Sequence, residues 1–159
     1  IENIVKLIPD KFRHNVTLLH SVSLYPPKDE YVNLNFLNTL RQCFGLPVGY
    51  SDHTLGFSIP LAAVALGATV IEKHFTLNKK DKGPDHPHSM EPDEFKFMVD
   101  SIREVEKAMG STRKEAQKEE GETVFVQRRC LYAKHDLKKG QIIKEEDLDR
   151  LAEGLWESL

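Results

Sequence analysis

Three short apolar runs, Val16 to Ser23, Pro47 to Tyr50 and Ala68 to Glu72, alternate with segments of helical period. That alternation constrains the chain more than any other feature. Val16 to Ser23 is β-branched and apolar, the composition of a buried parallel strand. Between the first two runs, Leu34 to Phe44 sets Leu37, Leu40 and Phe44 on one helical face, with Gly45 as C-cap. Between the second and third, Ser58 to Leu66 predicts a helix capped by Ser58, with Pro60 near its first turn and Gly67 as its stop. Its Ala62, Ala63 and Ala65 suit close approach to a sheet. The third run leads into a polar loop, Asn78 to Ser89. Pro92 then opens the longest helix, striped by Phe95, Met98, Ile102, Val105 and Met109 and stopped by Gly110. At the start, Ile1, Ile4, Val5 and Ile8 read as the tail of a helix that Pro9 ends. Strict βα alternation demands a parallel sheet with right-handed crossovers. Three such units are too few to close a barrel of eight. The pattern therefore predicts the end of a larger α/β domain, or part of a doubly wound sheet.

Beyond residue 110 the texture changes. Ser111 to Glu122 has no aliphatic side chain larger than alanine and reads as a solvated linker. Val124 to Tyr132, the Lys138-Lys139-Gly140 turn, Ile142-Ile143 and Glu145-Glu146-Asp147 suggest a small β-rich unit with one short helix. At under about 40 residues it is too small to be stable alone. The expected division is thus 1–110, a linker over 111–122, and 123–159. A net charge of −3 with scattered lysines and arginines offers no nucleic-acid footprint. The longest apolar run, Ile59 to Ile71, is broken by Pro60 and Gly67 and is too short for a membrane span. Two cysteines, Cys43 and Cys130, make no disulfide framework or zinc ribbon and read as packing residues. A reducing, cytoplasmic setting is the expectation.

The chemistry-bearing residues cluster after the β-runs. His53 follows the second and His74 the third, which in a parallel sheet brings both imidazoles to one rim on neighbouring strands about 5 Å apart. C-terminal strand ends are where α/β proteins bind ligands. Two neutral imidazoles can share a divalent metal and leave positions for substrate oxygens and water, although a histidine taken singly is more often structural. Asp52 reads either as a group orienting His53 or as a cap on the following helix. Ser51 can donate to a phosphate or carboxylate, but serine is common in βα loops. Asp85 and His86, in a Gly-Pro loop, read equally as specificity residues or as a solvated turn, and Tyr25 is as ambiguous. Arg128, Arg129 and Arg150 read as solvated charges.

His20-Ser21-Val22-Ser23-Leu24-Tyr25-Pro26, Tyr50-Ser51-Asp52-His53-Thr54, Glu72-Lys73-His74-Phe75-Thr76 and Gly83-Pro84-Asp85-His86 resemble, in wording and order, the sialic acid synthase family. Arg128 to Ala133 with Lys139-Gly140 resembles the start of that family's appended antifreeze-like (SAF, β-clip) domain. The resemblance implies the C-terminal part of a (β/α)8 TIM barrel and then part of the β-clip domain. It also implies condensation of phosphoenolpyruvate with an open-chain N-acylmannosamine to a nonulosonic acid and phosphate. His53 and His74 match the family's metal ligands, usually for Mn2+ (Mg2+ or Co2+ as alternatives), with the metal polarising the sugar aldehyde and positioning water. Ser51 and Ser23 match phosphoenolpyruvate contacts; Tyr25, Asp85 and the adjacent His86 fall at the acceptor sugar. Arg150 aligns with an arginine lent by a partner subunit to recognise the N-acyl oxygen, which implies a domain-swapped homodimer.

Three departures stand out: Ser21 for a cysteine, Cys130 for a serine, and Leu151-Ala152 where the family has Pro-Gly after the arginine. The family's upstream glutamate and lysines are not among these residues, so the chain is expected to be a fragment that is inactive alone. Pseudaminic acid synthases often read Thr-Pro-Asp-Ser where this chain has Gly-Pro-Asp-His. That favours an N-acetylneuraminate or legionaminate synthase, including the family's surface-polysaccharide members, with a phosphorylated acceptor left open. The rival readings are a metal-dependent aldolase or hydrolase using the same histidines, and a non-catalytic carbohydrate-binding or dimerisation module.

Overall fold

A computed structural model describes residues 1–127 and 129–152, the side chains of residues 125, 126 and 150–152 excepted. The first unit, Ile1–Gly110, runs α1 (Glu2–Lys6), β1 (Leu18–Ser21), α2 (Phe36–Phe44), β2 (Val48–Asp52), α3 (Ser58–Ala65), β3 (Ile71–Lys73) and α4 (Pro92–Met109). The three strands form a parallel sheet in the order β1-β2-β3. This is the predicted alternation. Every residue of the central strand, β2, is buried.

The helices cover one face of the sheet. Val48 and Tyr50 pack there with Leu37 and Leu40 of α2, Ala63 of α3, Val32 and Ala68. A second cluster sets Met98 and Ile102 of α4 with Met90 against Leu61 and Val64 of α3 and Ile71 of β3. The opposite face is open: Leu19 and Val70 are 39% and 41% exposed. Gly49 lies between them, where a Cβ would come within 2.5 Å of both Leu19 Cδ2 and the Val70 carbonyl oxygen. Only glycine lets the strands approach so closely there.

Strand lengths differ from the expectation. Val16, Thr17, Val22 and Ser23 fall outside β1, because only Leu18 to Ser21 face ladder partners on β2. Beyond the ladder the backbone groups pair locally instead, Val16 N with the Arg13 carbonyl and the Val22 carbonyl with Leu24 N. Conversely, β2 runs through Asp52, two residues past the predicted end, since Ser51 and Asp52 pair with Glu72 and Lys73. A one-residue parallel bridge, Phe75 to Met90, was not anticipated. There Met90 N donates to the His74 carbonyl at 2.8 Å and Thr76 N to the Met90 carbonyl at 2.9 Å. This rudimentary fourth strand folds the 78–89 loop back over the end of β3.

Helix boundaries follow local chemistry. Gly45 closes α2 in the left-handed region (φ 62°), its N–H donating to the Arg41 carbonyl. Ser58 does not cap α3; Phe57 occupies that position and makes no side-chain cap bond. The far end of α3 is held from outside instead, by Arg41 Nη2 donating to the Leu66 and Gly67 carbonyls at 2.9 and 3.0 Å. α4 begins at a capping box, Glu91 with Glu94, and keeps Met98 and Ile102 buried, whereas Met109 is exposed. Cys43 is exposed on α2 rather than packed.

The second unit, Ser111–Leu159, contains α5 (Gly121–Gln127) and an antiparallel pair, β4 (Arg129–Ala133) with β5 (Leu148–Ala152). Val124 lies in a helix, not in the predicted β-rich stretch: the antiparallel ladder begins only at Arg129. Between the strands, buried Asp147 accepts the Lys144 N–H at 2.8 Å and pairs with His135 at 3.0 Å. Among the described residues no helix is long and apolar enough to cross a membrane.

Candidate metal centre

Asp52 and Lys73 sit side by side in the β2–β3 register, and each immediately precedes a histidine. Their side chains are 0% and 1% exposed and form an ion pair of 2.6 Å. The ammonium also donates to the Thr54 carbonyl, and the carboxylate's other oxygen accepts the Thr54 N–H at 2.9 Å. Asp52 is therefore neither a helix cap nor a partner of the His53 ring; it ties two strand ends together. Beside it the Tyr50 hydroxyl is buried facing Asp52 without a hydrogen bond of good geometry, and burial first, then the charge and polar contact of the Asp52 carboxylate, push its ionisation well above the usual phenol range. Successive strand side chains alternate faces. Holding Asp52 and Lys73 on the helix-covered side sends the next residues, His53 and His74, the other way.

There the two imidazoles meet, with ring centroids 5.3 Å apart at 85°. His53 Nδ1 lies 2.8 Å from the Val22 carbonyl oxygen. A carbonyl only accepts, so Nδ1 carries the proton and Nε2 keeps its lone pair, the arrangement that orients ligating histidines in metal proteins. Tyr25 stacks on His53 at 4.1 Å and lies 5.6 Å from His74 and 5.7 Å from His88. His88, absent from the sequence reading, completes the group 5.1 Å from His74. Its side chain is 7% exposed, and its Nε2 is buried without a hydrogen bond, the Asp85 carboxylate being 3.7 Å away. Burial first, and then the neighbouring His74, lower its pKa, while Asp85 pulls the other way. One ligand atom each from His74, Asp85 and His88 lies within 4.8 Å of the others. Neutral imidazole nitrogens with a carboxylate facing them fit a divalent transition metal.

The other expected site residues divide. Ser51 is buried beside the centre and donates to Glu72 Oε1 at 2.6 Å, across the β2–β3 register. Glu72 is a carboxylate that sequence reasoning passed over. Ser23 is exposed just past β1, next to the Val22 carbonyl that holds His53. Asp85 faces His88, whereas His86 lies 2.7 Å from Thr76 Oγ1 and fastens the loop. Arg150 pairs with Leu131 in the β4–β5 ladder, and its side chain lies outside the described residues, as does Arg128. The His86-Pro87-His88 spacing was the one available signal for His88: two residues apart in a 3-10 turn, the imidazoles take different neighbours.

Known proteins are similar to this chain in sequence and in fold. Over 136 residues the chain is 52% identical to the N,N'-diacetyllegionaminic acid synthase of Campylobacter jejuni, covering 86% of this chain and 41% of that protein. With the synthase of the same name from Legionella pneumophila it shares 48% over 139 residues, covering 87% and 39%. The crystal structure of an N-acetylneuraminic acid synthetase from Leptospira borgpetersenii superposes with a TM-score of 0.61 at 41% identity, over 68% of this chain and 38% of that one. The chain thus spans about two fifths of the length of these relatives. The NeuB family model matches residues 1–114, the whole of the sheet, its helices and the histidine cluster. This chain belongs to the NeuB family.

Proposed function

We propose that the protein containing this chain is a nonulosonic acid synthase. It would condense phosphoenolpyruvate with an open-chain N-acylmannosamine-type sugar by forming a C–C bond and releasing phosphate. The observation that carries this reading is the meeting of His53 and His74 at the C-terminal ends of adjacent parallel strands, in a chain of this family. The relative at 52% identity is named for N,N'-diacetyllegionaminic acid, which favours a legionaminate-type acceptor over N-acetylneuraminate. The open sheet face supports the (β/α)8 reading. A parallel sheet is normally covered on both sides, and here Leu19 and Val70 await further barrel strands. Residues 123–159 would be the start of an antifreeze-like β-clip domain.

In this reading His53 and His74 hold a divalent cation, Mn2+ on the family's precedent. When bound, the cation supplies Lewis-acid polarisation of the acceptor aldehyde. Val22 fixes the His53 tautomer, and the Asp52–Lys73 pair fixes the strand ends, so both rings are oriented before substrate arrives. Ser51 and Ser23 stand at the same rim to contact phosphoenolpyruvate. The Ser51 hydroxyl, which donates to Glu72 here, would turn its one hydrogen from that carboxylate to phosphoenolpyruvate on binding. Tyr25 walls the site and, with Asp85 and His86, contacts the acceptor sugar. Arg150 of the partner subunit would reach the N-acyl oxygen in a domain-swapped homodimer. The setting is cytoplasmic, where phosphoenolpyruvate is available.

The test is phosphate release by a protein carrying these residues together with the rest of a barrel. It is expected only when phosphoenolpyruvate and an N-acylmannosamine are both present, and to be lost in His53→Ala and His74→Ala. Phosphate release without the sugar would overturn the reading in favour of a hydrolase.

A further inference from the structure

His88 is used by nothing in the proposed chemistry, yet its placement is that of a ligand. Burying an imidazole nitrogen with no partner carries a penalty of about 1–3 kcal/mol unless something occupies the lone pair. His88 leaves its Nε2 in that state, in a side chain 7% exposed, between His74 and the Asp85 carboxylate. Both neighbours can ligate. Around one cation with bonds of about 2.1 Å, neighbouring ligand atoms stand roughly 3–4 Å apart. The His74, Asp85 and His88 atoms, mutually within 4.8 Å, reach that spacing by closing about an ångström.

We infer that His88 is a third imidazole ligand of the proposed metal centre, joining His74 and Asp85 and widening the margin by which the site prefers Zn2+ or Co2+ over Mn2+. The inference rests on the metal-centre reading and deepens it. Imidazole donors favour the later first-row ions, whereas carboxylate, carbonyl and water donors suit Mn2+ and Mg2+. Adding a nitrogen where a two-histidine site would keep water therefore shifts selectivity along that series. His53 flanks this group, its ring 5.3 Å from that of His74, although its nitrogen is not one of the three clustered ligand atoms. The His86-Pro87-His88 turn provides the means: His86, fastened to Thr76, anchors the turn so that His88 faces inward.

The experiment uses the 159-residue chain itself and reads binding rather than turnover. With all 7 histidines labelled with 15N, Zn2+ is titrated in and the ring nitrogens that shift are counted. With the shifting rings assigned by residue, His88 is expected among them beside His74 and His53, and a His88 ring that does not shift would overturn the inference. In parallel, Co2+ is titrated into the wild type, His88→Gln, His53→Ala and His74→Ala, following its visible absorption. The wild type is expected to bind Co2+ at least about tenfold more tightly than Mn2+, and His88→Gln to weaken Co2+ by about 10- to 100-fold while Mn2+ changes less. If His53→Ala and His74→Ala lose Co2+ but His88→Gln binds it within twofold of wild type, the metal centre stands and His88 is no ligand. If the wild type binds neither ion, this inference and the metal-centre reading fall together.

Discussion

Replacing Lys73 by methionine tests whether the buried ion pair holds the two histidine-bearing strand ends. The change keeps the length and most of the volume of the side chain and removes only the charge. At 2.6 Å the pair is attracted by about 6 kcal/mol at an effective dielectric of about 20. Desolvating two ions offsets most of that, since both side chains are at most 1% exposed. The loss is lopsided when only one partner goes. Asp52 is left as a buried carboxylate with a single donor, the Thr54 N–H at 2.9 Å, and the Thr54 carbonyl loses its ammonium. Breaking a buried pair in this way costs about 3–5 kcal/mol, or two to nearly four powers of ten in the unfolding equilibrium. Urea denaturation of the chain at pH 7, followed by circular dichroism, measures it. The double variant Asp52→Leu/Lys73→Met should recover to within about 2 kcal/mol of wild type, because a pair of apolar groups has no charge to desolvate. A Lys73→Met chain within about 1 kcal/mol of wild type would refute the argument, as would a double variant worse than the single one.

Tyr50→Phe removes a buried hydroxyl that faces Asp52 without a hydrogen bond of good geometry, so stability should change by less than about 1 kcal/mol. A loss of 2 kcal/mol or more in the same denaturation assay would mean that the hydroxyl has a partner. At the start of α4, the Lys79 ammonium and then the Glu91 N–H hold the Glu94 pKa below its ordinary value. A carboxyl with a depressed folded pKa stabilises above its unfolded pKa of about 4.3 and stops doing so as the pH falls through the folded value. Glu94→Gln should therefore be destabilised by about 0.5–1 kcal/mol at pH 7, less in high salt because the pair is half exposed. That difference should start to shrink as the pH falls below about 4.3 and disappear once Glu94 is protonated in the folded chain, as thermal melts across the pH range would reveal; a difference unchanged from pH 7 to about pH 2 would place the effect elsewhere than in the charge.

What the sequence by itself determined is periodic or local. The βα alternation, the span of α4 and the glycine that closes α2 are properties of neighbouring residues, and so they were legible. So was the placing of His53 and His74 after consecutive strands, since parallel strands joined by a helix must end at the same rim. What only the tertiary structure decided depends on pairing across the sheet and on loop return. β1 is cut short and β2 lengthened by which residues find ladder partners. Ser58 makes no cap at the start of α3, while the far end of that helix is held by an arginine two elements away. Asp52 adds to its local bond from the Thr54 N–H an ion pair with Lys73, 21 residues distant. His88 enters the histidine cluster because Met90 bridges back to Phe75 and carries the loop over the strand ends. No pattern along the chain encodes that return, since the backbone bonds that make it join residues more than a dozen positions apart and depend on a sheet that must form first.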